Sequence, residues 1–248
     1  MLSKDEHLGL LISPGNCDGA IQSARIHTLF GLREEMTAMP ANDRQPGRTP
    51  YRLMEQMQID IPSLVIQEHA LLGLMGGPFP EHANDFRAMK RVLDVACGAG
   101  GWAIEVARNN PHLEVVGIAG QATLVAHARE RAAAAGLSNV RFSLLTGNEK
   151  LQLPFPDQEF DLVNTQYLHA WLRENEWSDF ARDCWRITRP SGYVRMTEPE
   201  RGQSTSLAFT HLEDLYLQAM QRVGQRISPD ERHIGSATQL TRLFQEIE

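Results

Sequence analysis

The sequence predicts an α/β fold: a Rossmann-like, mostly parallel sheet of about five strands with helices on both faces, preceded by an N-terminal helical arm and lid. Three observations carry this. Strand-length apolar runs alternate with helix-length segments from residue 91 onward. The first of them, Val92-Leu93-Asp94-Val95-Ala96-Cys97-Gly98-Ala99-Gly100-Gly101-Trp102, ends in an acidic residue, breaks into small residues and enters a helix. Small residues let a ligand approach the backbone, and the helix start offers unpaired N–H groups. Last, right-handed crossovers bring the ends of strands one, two and four around one crevice.

The elements follow in order. Residues 1–50 form an arm with turn signals at Pro14-Gly15-Asn16 and from Pro40 to Pro50, and a loose helical period from Ala20 to Met39. Residues 51–90 form a helical lid, with a helix from Ile61 to Met75 that Gly76-Gly77-Pro78 ends. The domain proper spans 91–248. Its strands are expected at Arg91–Val95, Glu114–Ile118, Val140–Leu145, Phe160–Asn164 and Tyr193–Thr197, with helices at Trp102–Arg108, Gln121–Ala135 and Trp177–Thr188. A tail helix runs from Leu207 to Val223, with Leu207, Leu212, Leu215, Leu217 and Met220 as its apolar face. Ser236 and Gln239 open a last helix toward Ile247.

Composition narrows the function. The net charge of -7 argues against a general nucleic-acid binder. No apolar run has the length of a membrane span and no basic, apolar leader is present, so a cytoplasmic protein is expected. The three cysteines, Cys17, Cys97 and Cys184, are far apart, which fits reduced thiols. The nine histidines form no His-Glu-x-x-His, so no metal site is expected.

From Tyr51 onward the chain resembles the class I S-adenosylmethionine-dependent methyltransferases, in particular those of bacterial type that act on small molecules. The resemblance rests on the Asp94-to-Gly100 turn, with Ala96 where the first glycine often stands. It rests also on Pro154-Phe155-Pro156-Asp157, Phe160-Asp161-Leu162-Val163 and Arg189-Pro190-Ser191-Gly192-Tyr193. It implies the strand order 3-2-1-4-5-7-6 with strand 7 antiparallel, S-adenosylmethionine as cofactor and a small-molecule acceptor. The cofactor-binding positions it implies are Asp94, Ala96, Gly98 and Gly100 in the turn, Ala119 and Gly120 after strand two, Gly147 and Asn148 after strand three, and Asn164 on strand four. Tyr51 and Gln67 fall in the segment that forms a lid in related enzymes; ordinary helix packing also accounts for them.

Three departures stand out. Ala119 occupies the place of the carboxylate that accepts the ribose hydroxyls, a loss that could weaken binding by about a hundredfold. Ala119→Asp is therefore expected to tighten binding. After strand three, Asn148 offers an amide oxygen to the adenine amine in place of the usual acid, with Glu149 the other candidate. The family's last two strands do not follow the tail helix before Glu248. Strand five is then an edge that the N-terminal arm, a second subunit (a homodimer) or solvent must satisfy.

Methyl transfer from a sulfonium is an in-line displacement, so the protein mainly supplies position and desolvation. An acceptor that must lose a proton needs a base. His169, after strand four, is the candidate, with Tyr167 the alternative; packing on a short helix is the plain reading of His169. Trp171 and Trp177 either line the acceptor site or pack the following helix, and Glu198 is a candidate for facing the substrate or orienting a cationic amine. Two other functions compete: a non-catalytic protein of the same fold with weak or lost cofactor binding, and a nicotinamide oxidoreductase. The last is weakest, because Asp94 falls where that fingerprint has its glycine turn.

Overall fold

A computed structural model describes residues 59–145, 152–170, 172–199 and 205–224, together with Leu240, Arg242, Leu243 and the backbone of two short strands, 7–12 and 22–24. All five expected strands form: β3 (Arg91–Val95), β4 (Glu114–Ala119), β5 (Val140–Leu144), β6 (Phe160–Gln166) and β7 (Thr188–Pro199). They pair in the order β5-β4-β3-β6-β7, every pair parallel. This is the 3-2-1-4-5 part of the order the resemblance implies.

The edge beyond β7 is not left open. Strand β1 (His7–Ile12) pairs antiparallel with it, Leu10 opposite Met196, and β2 (Gln22–Ala24) pairs antiparallel with β1. Of the three ways to satisfy that edge, the N-terminal arm is the one observed, so the edge gives no reason to expect a second subunit. Gln22–Ala24 is extended where the sequence suggested a helical period. Pairing against an available strand edge overrides weak local preference.

Helices cover both faces. Helix α1 (Ile61–Met75) stops as expected at Gly76, whose φ of 82° is the left-handed value that suits a glycine C-cap. Helices α2 (Gly101–Asn109) and α3 (Ala122–Ala134) lie over one face, where Val92, Val115 and Leu162 meet Trp102, Val106, Val125 and Ala128. Helix α4 (Trp177–Ile187) covers the other. It buries Trp177, Phe180, Ala181, Cys184 and Ile187, a stripe at helical spacing, against Leu93, Val163 and Val194. Trp177 is thus a core residue.

Helix α5 (Leu207–Val223) divides its expected apolar face. Leu217 and Met220 are buried, whereas Leu207, Leu212 and Leu215 are exposed. The last helix expected after Ser236 lies outside the described residues, except that Leu240, Arg242 and Leu243 are helical. Cys97 and Cys184 are buried free thiols, and Cys17 lies outside the described residues. No helix among the described residues is long and apolar enough to cross a membrane. No group of ligating side chains among them could hold a metal ion.

Candidate cofactor and acceptor site

The site lies at the C-terminal ends of β3, β6 and β7, where an open parallel sheet places its ligands. Three residues in register form one row across these strands: Asp94 opposite Asn164, and Asn164 opposite Arg195. Parallel pairing puts their side chains on the same face. Asn164 Nδ2 donates to Asp94 Oδ1 at 2.7 Å, and Arg195 Nη1 donates to Asn164 Oδ1 at 2.8 Å. The row continues to Glu81, whose carboxylate accepts from Arg195 Nε at 3.2 Å.

Asp94 ends with one oxygen bound and one bare. Its Oδ2 is buried and has no hydrogen-bond partner. Burial pushes the Asp94 carboxyl up to about 8, and the charge of Glu68 adds to this. The Asn164 amide opposes the shift most, with weaker help from Arg195 and the Ala103 N–H. One residue further along β6 and β7 on this face, Gln166 stands opposite Thr197, and Gln166 Nε2 and Thr197 Oγ1 are also buried without partners. Orphaned polar atoms gathered at strand ends are what a polar ligand would satisfy.

The turn after β3 has the expected shape. Ala96, Gly98 and Gly100 have φ values of 60°, 56° and 84°. A Cβ at Gly100 would lie 2.9 Å from the Phe142 ring, and one at Gly98 would lie 2.7 Å from Glu68 Oε1. Glu68 reaches over from α1: Oε1 accepts from the Ala99 N–H at 2.7 Å and Oε2 from Arg131 Nη1 at 2.9 Å. Arg131 also donates to the Ala99 carbonyl at 2.6 Å. A carboxylate of this chain thus occupies the positive end of α2. Burial pushes the Glu68 carboxyl up, against the pull of Arg131 and the turn N–H groups.

On the other face of the sheet is a second buried carboxylate. Glu198, near the end of β7, accepts from the N–H groups of Leu168 and His169 at 2.7 and 3.0 Å and contacts His169 Nδ1 at 2.8 Å. His169 Nε2 lies 3.2 Å from the Tyr216 hydroxyl on α5. A carboxylate only accepts, so a hydrogen belongs on Nδ1, and Nε2 faces the tyrosine hydroxyl. His169 is buried, in a single 3-10 turn of Leu168–Ala170, not on a surface. Tyr167 has a left-handed φ of 58°, donates its N–H to the Thr197 carbonyl at 2.9 Å and packs under Leu71 and Met75 of α1.

The remaining expected positions divide. Ala119 and Gly120 are buried, and the Ala119 methyl lies in the apolar layer with Leu124 and Val125. Gln67 is half-buried on α1, beside Glu68. Tyr51, Gly147, Asn148, Glu149 and Trp171 lie outside the described residues. Sequence reasoning passed over Glu68, Glu81, Arg131, Arg195 and Tyr216. Arg195 alone carried a signal, as a lone cation inside an expected strand.

A parallel α/β sheet with an acidic strand end followed by a small-residue turn is the arrangement in which open α/β folds place their ligands. Residues 92–192 match the family model described as methyltransferase domain. The chain is 34% identical over 128 residues to a demethylmenaquinone methyltransferase of Geobacillus kaustophilus, covering 51% of this chain and 52% of that one. It is 32% identical over 140 residues to one of Deinococcus radiodurans, covering 56% and 55%. The chain thus spans about half the length of the curated relatives it matches. A solved structure, the PH0226 protein of Pyrococcus horikoshii, aligns with a TM-score of 0.46 at 25% identity, covering 61% of this chain and 66% of that one.

Proposed function

We propose that the protein transfers a methyl group from S-adenosylmethionine to a small-molecule acceptor, with His169 as general base. One observation carries the reading: the glycine turn with its bare Asp94 oxygen follows β3, and the His169–Glu198 pair stands after β6 and near the end of β7, all at the same end of one parallel sheet. When bound, the cofactor supplies an activated methyl group on a sulfonium. Once ionised, Asp94 Oδ2 offers an acceptor to an ammonium or hydroxyl donor of the ligand, beside the left-handed turn of Ala96, Gly98 and Gly100. Asn164 positions Asp94. The family residues after strand two and strand three would complete the site at Gly120, Gly147 and Asn148, whereas the Ala119 methyl is turned to the core.

Glu198 holds the Nδ1–H of His169 and stabilises the charge the ring gains when Nε2 takes a proton from the acceptor. Its position is fixed by two backbone N–H groups, so the ring has one orientation. Tyr216 now occupies the place of the proton donor at Nε2 and leaves when an acceptor enters. The net charge of -7 favours a small molecule over nucleic acid as acceptor. The named relatives are methyltransferases, which favours catalysis over a non-catalytic role. Demethylmenaquinone, the acceptor in their names, is the first to try.

Calorimetric titration with S-adenosylhomocysteine tests the first half of the reading: micromolar binding is expected. A folded protein that takes up none at millimolar ligand overturns it. Transfer of a labelled methyl group to demethylmenaquinone or another acceptor, lost in His169→Gln with S-adenosylhomocysteine affinity kept, tests the second.

A further inference from the structure

We infer that Arg195 is a positioning residue for the cofactor end of the site, acting on Asp94 through Asn164 and fastening the α1 segment to the same row; this rests on the cofactor reading above. A guanidinium has donors only, so whatever faces it must accept. Arg195 Nη1 meets Asn164 Oδ1, which fixes the Asn164 amide in one of its two orientations and turns Nδ2 to Asp94. Asp94 Oδ1 is thereby occupied and Oδ2 is the oxygen left for a ligand. A flipped amide would set its carbonyl against the Asp94 carboxylate and close that arrangement.

The same cation reaches the cover of the site. Arg195 and Glu81 are both essentially without solvent exposure. Glu81 belongs to the turn of Pro80–His82 that follows α1, and Arg195 Nη2 lies 3.8 Å from Met75 Sδ, at the end of α1. Glu68, seven residues before Met75 on that helix, holds the glycine turn. One buried arginine therefore ties the ligand-facing carboxyl and the segment over it to a single strand. A bare cation in a sheet covered on both faces has a high desolvation cost, which Glu81 and Asn164 offset together.

The test separates this role from stability. Replacing both members of the buried pair, Arg195→Leu with Glu81→Leu, leaves no uncompensated charge and is the variant expected to fold. It should bind S-adenosylhomocysteine about tenfold more weakly by calorimetry. Asn164→Ala keeps the Arg195–Glu81 pair intact and cuts only the link, so it guards against a fold failure; the same tenfold loss is expected. Combining all three changes should add little, because they break one chain. Arg195→Lys, which keeps a donor for Asn164, should bind within about threefold of wild type. Wild-type affinity in Asn164→Ala, or losses that simply multiply, overturns the inference. A wild-type protein that does not bind S-adenosylhomocysteine overturns the cofactor reading and this inference with it.

Discussion

Asp94 and Glu198 are both carboxylates buried near the ends of parallel strands of one sheet, β3 and β7 with β6 between them, and they are finished differently. Glu198 is fully engaged, with two backbone N–H groups and an imidazole. Asp94 has one side-chain donor and a bare oxygen. A saturated carboxylate serves as a fixed support for another group, here His169. One left with an open oxygen is arranged for something that arrives from outside. On the proposed reading, the acceptor half of the site rests on the saturated carboxylate and the cofactor half on the open one.

The comparison can be broken most sharply at its catalytic end. His169→Gln should lower methyl transfer by about a hundred- to ten-thousandfold, the range of general-base catalysis, with the S-adenosylhomocysteine affinity unchanged. Equal loss of binding would place His169 in the cofactor half instead. Asp94→Asn should do the reverse and weaken S-adenosylhomocysteine binding by tenfold or more.

Asp94→Asn also carries a stability signature. A carboxyl whose value in the fold lies above its unfolded value holds its proton more tightly when folded. Its contribution is complete below 3.8 and is lost as the pH rises toward about 8. Asp94→Asn removes that loss, so above pH 8 the variant should be more stable than wild type by about 2–4 kcal/mol in urea titrations. Equal stability at both ends of the range would mean that Asp94 is not held in its neutral form.

Two smaller changes sharpen the contrast in the turn and at β4. Ala119→Asp, which the sequence alone suggests as a gain in affinity, would set a carboxylate among Leu124, Val125 and Phe142. It should instead cost about 2–3 kcal/mol of stability. Tighter S-adenosylhomocysteine binding without that cost would show that position 119 faces the ligand. Ala96→Gly should raise stability by about 1 kcal/mol in thermal scans, since a φ of 60° suits glycine better than alanine. No gain would mean that the alanine methyl makes contacts worth as much as the strain.

The strands and helices were legible because each is a local pattern. Val115-Val116 and Leu162-Val163 are buried on both faces of the sheet and read as continuous apolar runs, and α4 repeats at helical spacing. The turn was legible for steric reasons, and His169 for its place after strand four. What escaped depends on register between strands far apart in sequence. Asp94, Asn164 and Arg195 meet only because β3, β6 and β7 align so, and nothing local to Arg195 names Glu81, 114 positions away. Glu68 looks like any acidic residue on an exposed helix turn until α1 is laid over the glycine turn. The antiparallel pairing of residues 7–12 with β7 is likewise a tertiary choice.

Trp102, one residue into α2, is buried in the aromatic layer beside Phe86 and donates its indole N–H to the Pro78 carbonyl at 2.7 Å. Pro78 lies in the segment that Arg195 and Glu68 hold over the site. The indole is therefore a built-in optical gauge. With Trp171, Trp177 and Trp185 replaced by phenylalanine, its emission should stay blue while that segment is seated and shift red when the hydrogen bond is lost, so movement of the segment can be followed in stopped flow without any label.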